Sequence, residues 1–176
     1  MTYTFHLRNT EWSDGTPITA KTFVDSWLNL LNPAGNHPYA SLLDCIDGAA
    51  DYRNGKLKNK NQVGIKAESG QVLLVTTNTE IEHLPNILCH HAFSAVETSQ
   101  LEAALKFSNI ERIEKLRDSF KPISSGAYKI KKFSEKELIL VKNEHYWDKD
   151  NVQIPQINLF LDLSKEEAIE KFNIGK

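Results

Sequence analysis

Residues 3–20 run Tyr3-Thr4-Phe5-His6-Leu7-Arg8, then Asn9 to Glu11, then Trp12-Ser13-Asp14-Gly15-Thr16-Pro17-Ile18-Thr19-Ala20. Tyr3, Phe5 and Leu7 alternate with Thr4, His6 and Arg8, which is the period of a half-buried β-strand. Trp12 to Pro17 stops that strand with turn chemistry, because Asp-Gly supplies a tight turn and Pro cannot join a ladder. Thr19 is placed to cap a helix with its hydroxyl. Behind it Ala20, Phe23, Val24, Trp27 and Leu31 recur at helical spacing and predict one apolar face. Asn32-Pro33 ends the helix, since Pro disfavours helical geometry in the residue before it.

Working outward, Pro38 leads into a short apolar segment, Tyr39 to Ile46, followed by polar loops around Asn54-Gly55 and Asn59 to Asn61. Val63 to Ala67 and Val72 to Thr77 flank Glu68-Ser69-Gly70-Gln71, the pattern of a hairpin with a Gly-bearing turn. Pro85 suits the first turn of a helix carrying Ile87 and Leu88. Residues 98–120 again show helical spacing. Beyond Pro122 the period returns to two, predicting a second hairpin of 127–133 and 137–142 joined across Ser134-Glu135. Ile157, Leu159, Leu161 and Leu163 then line one face of a further strand. Ser164-Lys165-Glu166-Glu167 has the form of a capping box opening a last helix, with Gly175 placed to end it. Hairpins mixed with helices, without regular βαβ repeats, predict a mixed α/β (α+β) fold rather than a doubly wound one.

The chain has 176 residues, 40% hydrophobic and 25% charged, with a net charge of −2. At that length a core needs neither disulfide nor metal. The charge balance argues against a nucleic-acid binder relying on bulk charge. Lys129, Lys131 and Lys132, beside Tyr128 and Phe133, read as lysines on a hairpin's wet face that discourage edge pairing. The N-terminus shows no basic region followed by an apolar stretch and cleavage site, so no signal peptide is expected in this chain. Cys45 and Cys89 lack CxxC spacing; two free, buried thiols are expected, with one disulfide as the alternative.

Cys89-His90-His91, with His83 upstream, is the densest set of ligand-type side chains, yet no second pair stands at finger-like spacing. No metal site is expected, and Cys89 reads as a core thiol with one histidine at a surface or cleft. None of the phosphate-loop, dinucleotide, nucleophile-elbow or HExxH patterns occurs, so no catalytic residue is expected. Tyr39, Tyr146 and Trp147 carry large apolar rings with polar tips, suited either to binding or to fastening a loop.

The motifs together resemble one family. Tyr3 to Arg8, Trp12 to Ala20, Phe23-Val24 and Ser26-Trp27, then Pro38-Tyr39-Ala40-Ser41-Leu42, Gly126-Ala127-Tyr128-Lys129-Ile130, Lys142-Asn143 and Tyr146-Trp147-Asp148 are similar, in the same order, to the bacterial oligopeptide-binding proteins. These are the extracytoplasmic solute receptors of ABC peptide importers. The resemblance implies a periplasmic-binding-protein-like class II fold, here a partial first lobe. Residues 1–97 would form the small additional domain of peptide binders and 98–176 part of the lobe-one core. It also implies a fragment that lacks the export signal, the first strands and the second lobe. Peptide would be the ligand and a membrane permease the partner, with no cofactor, no chemistry and no nucleic acid. The parent would be a membrane-anchored periplasmic or extracytoplasmic lipoprotein. Tyr39 matches a tyrosine lining the peptide cavity and His90 a histidine near it. His91 and Ala95 stand where the family usually has prolines, and Ser125 where it has Asn. The competing reading is a truncated paralogue that serves as an interaction module without ligand.

Overall fold

A computed structural model describes residues 1–35, 37–97 and 122–175, which fall into two compact units. The first holds 1–10 and 17–97, the second 11–16 and 122–175. The helix predicted over 98–120 lies outside the described residues, as does the beginning of the expected second domain at 98. Among the described residues no helix is long and apolar enough to cross a membrane.

The first unit is built on a three-stranded antiparallel sheet. Strand β1 (Thr2–His6) and β2 (Ile65–Ala67) flank β3 (Val72–Thr76), with Tyr3 and Ile65 both opposite Val75. β1 carries the expected alternation, Tyr3 and Phe5 half-buried and their neighbours exposed. Helix α1 (Ala20–Leu30) packs on this sheet; the Thr19 amide donates to the Thr22 hydroxyl at 3.1 Å, so the helix start is satisfied by reciprocal threonines. The predicted face is buried at Ala20, Trp27 and Leu31, while Phe23 and Val24 are half-buried. Ser26 and Leu28 are buried as well, beyond the predicted face. The cause at Ser26 is tertiary cover: its hydroxyl accepts from the Val96 amide at 2.9 Å and donates to the Thr22 carbonyl at 2.7 Å. Short helices α2 (Ala49–Arg53) and α3 (Leu84–Leu88) complete the unit, and Leu43, Ile46, Val63, Leu73, Val75, Leu84 and Phe93 share its core. The Tyr3 hydroxyl accepts from the Ile81 amide at 2.7 Å and donates to the Ile81 carbonyl at 2.8 Å, tying the loop before α3 to β1.

The second unit is a meander of β4 (Tyr128–Phe133), β5 (Glu137–Lys142) and β6 (Gln156–Phe160), followed by α4 (Lys165–Asn173). The hairpin is as expected, with a bulge between Ile130 and Lys132 and an ion pair of Lys132 with Glu137. The capping box at Ser164 is formed: its hydroxyl accepts from the Glu167 amide and its amide donates to the Glu167 carboxylate. The last strand departs from expectation. It stops at Phe160, and Leu159, although paired with Leu138, and Leu161 are both exposed. Asn143 is fully buried and fully used: its side-chain amide donates to the Gly126 carbonyl, and its side-chain oxygen accepts from the His145 amide. A buried amide is tolerated only when paired in this way.

The turn at 11–16 belongs with the second unit, through bonds of Ser13 to Ser124 and of the His145 ring to Glu11. A division purely by sequence order therefore misplaces these six residues. Gly15 has φ +88, and a Cβ there would meet the His145 ring at 3.1 Å, so both backbone and space favour glycine. Asp14 accepts from the Thr16 amide (2.9 Å) and hydroxyl (2.7 Å). Those bonds hold its carboxyl below the usual carboxylate range. A depressed folded value means that the turn is stabilised above the unfolded value near ~3.9 and loses that support as pH falls through the folded value. The Thr16 amide resonance should thus titrate with a midpoint below the ordinary carboxylate value of ~3.9. A midpoint at or above the ordinary carboxylate value would mean that these bonds do not form in solution.

Candidate functional site

Two segments of the first unit meet to make the site. Pro38-Tyr39 enters a 3₁₀ turn, Ala40–Leu43, whose Ala40 and Leu43 are buried and so fix Tyr39 at the surface. Behind that turn Arg53 grips Asp44 with two bonds of 2.9 and 2.6 Å, and the Asp44 carboxylate raises the Arg53 guanidinium further above its ordinary value. The second segment follows α3, which has Pro85 in its first turn. His90 caps a second 3₁₀ turn, His91–Phe93, and its Nδ1 accepts from the Ala92 amide at 3.2 Å. Phe93 is buried, and its carbonyl accepts from the Trp27 indole at 2.8 Å, so α1 holds the backbone three residues past His90.

The rings then cluster. Tyr39 and His90 centroids are 4.5 Å apart, His90 and His91 4.2 Å, and Tyr39 and His91 5.6 Å in an edge contact. Phe93 supports His90 from the core side at 5.9 Å. Sequence reasoning named Tyr39 and His90, and the structure brings them together; it named His91 only as a departure, yet that ring completes the cluster. No local periodicity points to this meeting, since the two segments come from opposite sides of a β-hairpin in the chain.

The cysteines differ from expectation. Cys89 is exposed and Cys45 half-buried, both free. Cys89 stands at the C-cap of α3, five residues past the buried Leu84, which rotates it about 140° away from the core-facing side. Burial pushes the Cys45 thiol up, making it a poor nucleophile. Among the described residues no three His, Cys, Asp or Glu side chains converge as a metal-ligand set. Tyr146 and Trp147 pack on each other at 5.6 Å in the second unit, with Trp147 exposed.

This arrangement offers a ring-lined surface. The family described as "Bacterial extracellular solute-binding proteins, family 5 Middle" matches residues 1–164. The chain belongs to this family. Among family 5 relatives, it is 36% identical over 179 residues to the periplasmic oligopeptide-binding protein OppA of Salmonella typhimurium, covering 99% of this chain and 31% of that protein. It is 30% identical to the periplasmic murein peptide-binding protein MppA of Escherichia coli, over 96% of this chain and 30% of that one. A solved structure of Listeria monocytogenes OppA bound to peptide matches with a TM-score of 0.77 and 28% identity, covering 98% of this chain and 33% of that one. The chain thus spans about a third of the length of the relatives it matches. The mixed α/β fold, of the class II solute-receptor type, is borne out over that span, and the relatives are binding proteins by name.

Proposed function

We propose that this chain forms part of the ligand-facing wall of an extracytoplasmic peptide receptor that delivers its cargo to an ABC permease, and that Tyr39 and His90 face the peptide. The observation that carries the reading is the Tyr39 ring, 44% exposed yet held against His90 at 4.5 Å by a buried turn beneath it. An amphipathic ring fixed at a surface at that cost in exposed apolar area is suited to packing on a ligand. The relatives named for oligopeptides and murein peptides supply the ligand class. On this reading the first unit corresponds to the small additional domain of peptide receptors and the second to part of their lobe-one core. The receptor works outside the cytoplasm, anchored at the membrane, and catalyses nothing.

A peptide on this surface alone stays half solvated. A few exposed hydrogen bonds at ~0.5–1.5 kcal/mol each barely offset an association cost of at least ~4 kcal/mol. Residues 1–176 should therefore bind tri-alanine no more tightly than about millimolar. In an aromatic NMR titration the Tyr39 and His90 ring signals should move together, and Tyr39→Ala should abolish the His90 response. A response confined to other rings, such as Trp147, would overturn the assignment. Micromolar binding would show that this surface holds the whole site unaided.

A further inference from the structure

His90 has two ring nitrogens, and the fold occupies one of them. The Ala92 amide at 3.2 Å from Nδ1 is a backbone N–H, which can only donate, so Nδ1 must present its lone pair. In the neutral ring the proton then resides on Nε2. Tyr39 at 4.5 Å and His91 at 4.2 Å both pack against the imidazole, tilted to it and 5.6 Å from each other, and turning the ring over to exchange its nitrogens would break the cap. Among the described residues nothing accepts a hydrogen bond from Nε2.

We propose that His90 is a fixed hydrogen-bond donor, its Nε2–H selecting a backbone carbonyl oxygen of the bound peptide; this rests on the peptide-binding reading above. The two ring nitrogens have separate tasks. Nδ1 shapes the turn, and Nε2 reads the ligand. Tyr39 and His91 act as positioning residues that keep the imidazole plane in one orientation. A ligand group that can only donate, such as an ammonium, would find no partner at this atom.

Nitrogen-detected NMR on the 176-residue chain tests it directly. The free protein should show His90 protonated at Nε2 and bare at Nδ1; the opposite tautomer overturns the proposal. On titration with tri-alanine, and equally with its C-terminal amide, the Nε2–H resonance should shift. A shift with the free acid only would overturn the carbonyl assignment in favour of a carboxylate. His90→Gln, whose amide reaches the Nε2 position, should retain the peptide response. His90→Asn, whose side-chain oxygen reaches only the Nδ1 position, should keep the Ala92 amide resonance but weaken binding about fivefold. The reverse ordering of the two variants overturns the proposal. The Trp27 indole N–H serves in each variant as the reporter that the fold is intact. If Tyr39 responds to peptide while Nε2–H does not, the donor role fails alone. If neither responds, the peptide reading fails with it.

Discussion

Trp27→Ala is expected to destabilise the chain by about 3–5 kcal/mol in a urea titration, the range for truncating a buried aromatic ring. Trp27 is 3% exposed and sits edge-on between Phe23 at 6.1 Å and Phe93 at 6.4 Å. Removing it opens a cavity lined by two rings that are themselves anchored, Phe93 by its own burial and Phe23 by helix α1, so collapse is limited. The loss has a second part. The indole N–H satisfies the Phe93 carbonyl, and an orphaned buried acceptor costs about 1–3 kcal/mol. Trp27→Phe separates the two, since it keeps most of the apolar volume and removes the donor; a cost near that of the orphaned carbonyl is expected. In that variant the His90 and Tyr39 ring resonances should also shift, because the Phe93 carbonyl belongs to the turn that His90 caps. A Trp27→Ala loss under about 1 kcal/mol would mean that the helix presents another face to the sheet.

Periodicity was enough to place what lies along one element. The alternation of Tyr3 and Phe5, the Trp27 face and the Ser164 capping box are local patterns, and each is formed as the pattern requires. It was not enough where a second segment arrives from elsewhere. Ser26 reads as a polar position on the outer side of α1 until Val96 covers it, and Trp12 reads as part of a turn although it is almost fully buried. Cys89 shows the converse error: composition favours burial of a free thiol, but one residue of helical phase past Leu88 turns it outward. The strand through Leu163 fails for a related reason, because an alternating apolar run specifies a face but not where the strand ends. The candidate site was legible only through resemblance. Nothing near Tyr39 in sequence indicates that a ring from beyond β3 will pack on it, and the role of His91 in the cluster is a property of the assembled turn.

The second large effect is expected at Gly64. Its amide donates to the Asp47 carbonyl at 2.8 Å, its carbonyl accepts from the Thr76 amide at 2.7 Å, and the Asp47 amide in turn donates to the Thr76 carbonyl at 2.9 Å. Three chain segments thus lock together through backbone alone: the loop before α2, the entry to β2 and the end of β3. A Cβ on Gly64 would stand 2.6 Å from the Thr76 carbonyl oxygen, with the Thr76 and Asp47 Cβ atoms at 3.1 and 3.2 Å. The requirement is close approach and not dihedral freedom, since Gly64 is not among the glycines with positive φ. The colliding oxygen cannot rotate away as a side chain would, because moving it breaks its bond to Asp47. Gly64→Ala should therefore cost about 3 kcal/mol, the upper part of the range for overpacking. The reduced entropy of the unfolded chain returns only about 0.4–1 kcal/mol of that. Hydrogen exchange should localise the damage: the Asp47 and Thr76 amides lose protection, while the Ser13–Ser124 pairing of the second unit keeps its own. A neutral Gly64→Ala would mean that β2 stands further from β3 than these bonds allow.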